Sequence, residues 1–339
     1  MNPGTKLHWI TYLYLGLCLN ALVFITPSAL AASSKDDSSV LEYGQMCAQQ
    51  IAEIPPFNCD DGTIVPITVE GRIPDQYTSG MTCDRPALLP YGSETFGQCT
   101  PYSRIINLSH GKTQISAFCR REYLRDPASP MFDEVDIVLH AQDSGKTCWF
   151  HAQSPEGDAK GFDASRVPPP NEKTPPPGHP AADKFWWPPA PTSDKNCGGC
   201  HDAEPTMYSP WLGQVWQHVP TDPLGRYINI GKDFAKWHSS SISTRDNTCI
   251  GCHRIGNQAS CSTYIQMAAG MTNAPGSDEL AKSYPLSHWM PVNNDNSLAF
   301  WNITHEKSIR DLLTCCKDPK NSICSMAPIM TPDTRGKAH

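Results

Sequence analysis

The sequence predicts a two-domain chain, β plus α. A small, disulfide-stapled, β-sandwich-like region spans 40–166, a proline-rich linker 167–195, a mostly α or irregular region 196–328, and a flexible tail 329–339. Three observations predict this. Short β-branched runs separated by proline, glycine and aspartate turns fill the first region. Ten of the 24 residues from Pro168 to Pro191 are proline, which removes backbone donors and favours an extended chain. The second region carries Cys197-Gly198-Gly199-Cys200-His201 and Cys249-Ile250-Gly251-Cys252-His253, two copies of C-x-x-C-H among short helical runs and long loops.

Met1 to Ala31 reads as a cleavable export signal. Trp9 to Ile25 is almost wholly apolar, Pro27 and Ser28 break the run, and Ala29-Leu30-Ala31 offers a small-x-small exit before Ala32. An uncleaved anchor is the alternative, since about 17 apolar residues reach the lower limit for spanning a bilayer. No later segment is apolar enough to span, so the mature chain is expected to have no stable membrane span and a periplasmic or secreted address. Of 15 cysteines, setting aside Cys18 and the four in the motifs, six precede the motifs (Cys47, Cys59, Cys83, Cys99, Cys119, Cys148) and four follow (Cys261, Cys315, Cys316, Cys324). Both numbers are even, which predicts disulfides closed within each region in an oxidising compartment. Neighbours Cys315 and Cys316 are poorly placed to bridge each other, so Cys261 is expected to take one and Cys324 the other. A net charge of -7 argues against nucleic acid as a partner. It fits either plain solubility or a partner with a basic docking surface.

In chain order, Thr63 to Val69 is a β-branched run. Thr113 to Arg121 alternates, with Ile115, Ala117 and Cys119 on one face. Asp136 to His140, the turn Asp143-Ser144-Gly145-Lys146, and Thr147 to His151 predict a hairpin. Cys119 and Cys148 both lie in strand-like runs and are expected to pair across the sheet. His140 and His151 flank the hairpin, as a ligand site or as ordinary half-buried polar residues. Arg120 and Arg121 beside Glu122 read as a charged rim. In the linker, Phe185-Trp186-Trp187 is too apolar to stand in water and is expected to pack on the region after 196, at its cofactor edge or the seam between regions, or as plain core. Further on, Ser209 and Pro210 open a helical run to His218, Cys261 to Met271 has helical spacing, and Thr304 caps a helix to Cys316 with Ile309, Leu312 and Leu313 on its apolar face.

The two motifs carry the chemistry. Thiols separated by two residues can add across the vinyl groups of one haem, and the adjacent histidine binds the iron as a neutral imidazole. Random order of 15 cysteines and 12 histidines in 339 residues gives about 0.02 copies of the motif, so two are not accidental. Disulfides, or one zinc held by four thiolates, are the alternatives. The 48 residues between Cys200 and Cys249 are long for a compact zinc ribbon, and such a site has no use for His201 and His253. The expected cofactors are two covalently bound haem c groups, attached through Cys197 and Cys200 and through Cys249 and Cys252, with His201 and His253 on the irons.

On these ten residues the chain resembles c-type cytochromes, and 196–328 resembles a dihaem cytochrome c; 40–166 carries no such resemblance. The resemblance implies an exported electron carrier working between redox partner proteins. The spacing of 52 residues between motifs is much shorter than in dihaem cytochrome c peroxidases, which separates the chain from that enzyme class. Within His288-Trp289-Met290-Pro291, Met290 is the expected distal ligand of the second haem, with His288 its rival. For the first haem His238 is preferred to His218, Met207 and Met326. Two other functions stay open. One is a haem enzyme with an open first haem acting on peroxide or a nitrogen or sulfur oxyanion, for which Asp202, Glu204 and His218 are nominal acids or bases. The other is a binding module whose β region recognises a partner. No catalytic residue is assigned.

Overall fold

Ser39 is a helix cap: its hydroxyl accepts from the Glu42 amide and the Glu42 carboxylate accepts from the Ser39 amide, a complete capping box. Helix α1 follows, Val40–Gln50, and buries Val40, Tyr43 and Cys47. In the computed structural model the described residues are 39–78, 81–85, 87, 99–268, 290 and 298–330. The proposed export signal, His288 and the residues beyond 330 lie outside them. Every described residue belongs to a single unit that runs from Asp37 to His339.

Its centre is one six-stranded sheet in the order β1-β2-β3-β5-β6-β8. The strands are β1 (Thr63–Ile64), β2 (Arg104–Asn107), β3 (Thr113–Arg120), β5 (Glu134–Ala141), β6 (Lys146–Gln153) and β8 (Ile228–Asn229). β4 (Met131–Phe132) and β7 (Phe162–Asp163) form a separate two-stranded ribbon. The expected sandwich is therefore a single main sheet among the described strands. The predicted hairpin is present as β5 and β6, with Asp136 opposite His151 and His140 opposite Thr147. Ile115, Ala117 and Cys119 are buried as the alternation requires. Thr63 to Val69 pairs with β2 only over Thr63–Ile64, because Pro66 cannot donate to a ladder, and Val69 makes an isolated bridge with Arg72.

β8 lies in the region expected to be mostly α, yet it pairs in parallel with β6, Lys146 opposite Ile228 and Thr147 opposite Asn229. The main core likewise joins both regions, with Ile115, Ile137 and Trp149 packed with Tyr227, Phe234 and Trp237. The region after 196 is irregular but not mostly α. Its short helical turns alternate with β8 and with an antiparallel ribbon of β9 (Ser239–Thr244) and β10 (Cys324–Met330). The proline-rich segment is not a free extended spacer. It forms helical turns at Ala182–Phe185 and Pro189–Asp194, and Trp186 is buried against Phe150 with its indole N–H donating to Pro168 O.

Among the described residues five disulfides close within their own regions: Cys47–Cys148, Cys59–Cys119, Cys83–Cys99, Cys261–Cys316 and Cys315–Cys324. Cys119 and Cys148 do not pair with each other. Each instead ties the sheet to the segment before it, Cys148 to α1 and Cys119 to the turn Cys59–Asp61. Arg121 is no surface rim either. It is fully buried, with Nη1 donating to Asp126 O and the guanidinium over the Phe132 ring. Ser209 accepts from the Leu212 amide, but the expected helix does not start at Pro210: the run is a 3-10 helix, Leu212–His218, with Trp211 at its N-cap. Thr304 does not cap, because it lies inside a helical run that begins at Leu298, and its hydroxyl donates back to Phe300 O. Among the described residues no helix is long and apolar enough to cross a membrane.

Candidate metal centre

The first motif is a single helical turn, Cys197–Cys200, entered from Asn196 in the left-handed conformation (φ 55°). Both glycines are buried there. A Cβ on Gly198 would stand 2.8 Å from the Trp237 ring, so glycine alone lets the turn lie flat on the indole. Trp237 is itself pinned by Trp149 and Phe234 and donates its indole N–H to Ser193 O, so it has little room to give. Gly198→Ala is expected to cost about 1–3 kcal/mol in chemical denaturation, as overpacking does elsewhere. An unchanged midpoint would show that the indole moves freely.

His201 Nδ1 lies 2.7 Å from Pro205 O, and His253 Nδ1 lies 2.8 Å from Arg254 O. A carbonyl only accepts, so each Nδ1 carries the proton and each Nε2 keeps its lone pair, the tautomer a metal-binding imidazole needs. Burial lowers the pKa of both rings, that of His201 to about 4, so both are neutral at pH 7. The Trp149 ring meets the His201 ring edge-on at 4.9 Å between centroids. Trp149 is held in turn by its indole N–H donating to Asn229 Oδ1 (2.7 Å) and its amide donating to Tyr43 Oη (3.1 Å), whose own proton goes to Ile230 O. Tyr227 donates to His201 O. The sheet is thus one wall of the first motif.

The second motif starts with the turn Cys249–Gly251, whose Cys249 amide donates to Asn247 Oδ1 while Asn247 Nδ2 donates to Ser308 O. Each motif packs its first cysteine on its own apolar cluster, Cys197 on the main core and Cys249 on Ile242, Ile309 and Leu312. The second cysteine of each, Cys200 and Cys252, is exposed.

The segments that follow the two histidines lock together. Asp202 is buried and accepts from the Gln258 amide (2.6 Å), the Ser260 amide (3.2 Å) and the Ser260 hydroxyl (2.6 Å). Arg254 donates through Nε to Ala203 O (3.0 Å) and through Nη1 to Gly225 O (2.6 Å). None of these contacts is visible in the spacing of the motifs, because they join loops 29 to 58 residues apart.

Among the described residues the unpaired thiols are Cys197, Cys200, Cys249 and Cys252, and ten cysteines are in disulfides. The four motif sulfurs do not gather around one point as a shared zinc would require, nor do the three donors of either motif. Separated thiols plus a neutral imidazole are a donor set that fits a haem bound between them. The group whose ligand atoms do gather is Glu134, Asp136 and His151, within 4.8 Å of one another. Arg120 Nε already stands 3.8 Å from Glu134 and 3.5 Å from Asp136, so the positive charge there is a guanidinium. His140 takes no part in that group. Its Nδ1 bonds Thr147 Oγ1 and its Nε2 faces Asp222, four strand positions from His151, about 13 Å along the sheet.

The distal candidates are less marked. His238 is exposed, and its carbonyl accepts from Gln258 Nε2. His218 is exposed as well, and Met326 lies on β10 at 37% exposure. Met207 Sδ accepts from the Tyr264 hydroxyl. Met290 is half-buried, and its carbonyl accepts from Trp301 Nε1. The nominal acid Asp202 is fully engaged in the hydrogen bonds above. Glu204 is buried, and burial pushes its carboxyl up to about 7 against an accepted hydrogen bond from Thr221.

No family model matches the chain, and no curated protein or solved structure matches it.

Proposed function

We propose that the chain is an exported dihaem c-type cytochrome, an electron carrier between two redox partner proteins. The observation that carries this is the sorting of the thiols. Among the described residues ten cysteines close into disulfides, and the four left unpaired are those of the two C-x-x-C-H motifs. A disulfide framework would have no reason to spare them, and a zinc site would draw them together.

Cys197 and Cys200 would hold one haem and Cys249 and Cys252 the other, with His201 and His253 as iron ligands and Met290 and His238 as distal ones. Bound haem supplies a one-electron Fe(III)/Fe(II) couple. The protein's part is to keep the ligands still. Pro205 O and Arg254 O hold the imidazoles in one tautomer, and Trp149 braces the His201 ring. The Asp202 and Arg254 bonds keep the two motifs at a constant separation, so electron arrival requires little rearrangement.

The test is the mass of the purified mature protein, followed by its absorption and electron paramagnetic resonance spectra with reductant and with added cyanide or carbon monoxide. Two added haem masses and two low-spin signals that ignore the added ligands are expected. A mass without haem ends the reading. One high-spin haem that binds cyanide replaces the carrier with an enzyme open at the His201 side.

A further inference from the structure

Glu204 sits where no structural need explains a carboxylate. It comes three residues after His201, and across from it is Arg254, the residue directly after His253. It is 7% exposed, and the hydrogen bond found for it comes from a neutral group, the Thr221 hydroxyl, 3.2 Å from Oε2. Arg254 does not close an ion pair with it. The Arg254 Nε and Nη1 protons go to the carbonyls of Ala203 and Gly225, and its buried Nη2 has no partner. Facing this pocket are Tyr208 from the same loop, Asp222 and Tyr227 from the following segment, and His140 on β5, which reaches Asp222 at 3.4 Å. Thr221 is exposed, so the carboxyl is one hydroxyl away from solvent.

We infer that Glu204 is a redox-linked proton site, taking up one proton from solvent as one electron enters the adjoining metal sites. The inference rests on the haem reading above. The electron comes from a reduced partner protein, and it lowers the charge of one metal site by one unit. The proton adds to the Glu204 carboxylate and restores the net charge of the buried region. A unit charge arriving roughly 10 Å from a carboxylate in a medium of effective dielectric about 20 changes its proton affinity about tenfold. Glu204 responds because burial holds it near the point of titration, at about 7, with one hydrogen bond to oppose the shift, whereas burial also raises Asp202 but three donated hydrogen bonds work against it. Lying between the segments that follow His201 and His253, Glu204 is placed to respond to an electron on either side. The result is an electron carrier whose driving force depends on pH near neutrality.

The experiment is a spectroelectrochemical titration of the full mature protein between pH 5.5 and 8.5. The sign follows from the charge. Reduction raises the proton affinity of Glu204, so the reduction constant falls as pH rises through the window around 7. A fall of at least threefold across that window is expected in the wild type. The ceiling for one proton per electron is tenfold per pH unit, about 59 mV. Glu204→Gln, close to isosteric, should flatten the dependence while keeping both haem masses. Thr221→Val removes the hydrogen bond that favours the anion and should move the window to higher pH. A wild type with both haems and a flat profile overturns the inference and leaves the carrier reading standing. The same slope in wild type and Glu204→Gln also overturns it, by placing the proton elsewhere. A protein without haem ends both readings.

Discussion

If both motifs hold haem as proposed, replacing Cys197 and Cys200 together by alanine is expected to give a chain with one haem mass instead of two and about half the haem absorbance. The second motif should survive the change because its supports are its own. Asn247 links the Cys249 amide to Ser308 on the helix Lys307–Lys317, and Cys249 packs on the Ile242, Ile309 and Leu312 cluster rather than on the main core. The converse pair, Cys249→Ala with Cys252→Ala, should remove the other half. Mass spectrometry and the reduced absorption spectrum read both results. Two haem masses retained in either variant would take the altered motif out of the attachment assignment. The loss of both from one pair of substitutions would show that the contacts of Asp202 and Arg254 make assembly of the two sites interdependent.

Removing the Cys47–Cys148 disulfide, as Cys47→Ser with Cys148→Ser, is expected to produce the largest loss of stability of any of the bridges among the described residues. The bridge closes a loop with a sequence separation of 101, and chain entropy alone assigns such a loop about 4.7 kcal/mol. The Cys315–Cys324 bridge, with a separation of 9, is assigned about 2.6 kcal/mol by the same relation. The site should change as well. Cys47 lies on α1, which also supplies Tyr43, the side chain that receives the Trp149 amide; Cys148 immediately precedes Trp149. Loosening α1 therefore loosens the indole that braces His201. Denaturant midpoints of the two disulfide variants measure the first effect, and the low-spin signal of the haem proposed at His201 measures the second. Equal midpoints for the two variants would show that apolar packing, not chain closure, holds α1 in place.

Parts of the fold were legible because they depend on neighbours in sequence. The hairpin of β5 and β6 follows from alternation on both sides of a glycine turn, and the burial of Ile115, Ala117 and Cys119 follows from the period of a strand. The capping box at Ser39 and Glu42 was equally local, yet a β-rich expectation from Val40 onward passed over it. The Phe185-Trp186-Trp187 cluster had to pack somewhere, but its target, Phe150 on β6, lies outside any local pattern. Thr304 carried the sequence of a cap and became an interior residue, because the helical run begins six residues earlier. Trp149, Tyr227 and Arg254 left no trace as site residues, since nothing in their own neighbourhoods points toward a histidine.

By itself, the sequence determined the donor chemistry: two thiols and an imidazole at an interval that one turn of backbone presents together, twice, with even sets of cysteines on either side. That information is local, and local geometry is dictated by bond lengths and backbone angles. Only the tertiary structure decided which partner each remaining cysteine takes, that β8 joins the sheet, that Trp149 lies against His201, and that Glu204 faces Arg254 across the pair of motifs. Those contacts join residues tens of positions apart. They exist because burying the apolar faces of the sheet and the aromatic cluster brings both halves of the chain into one core.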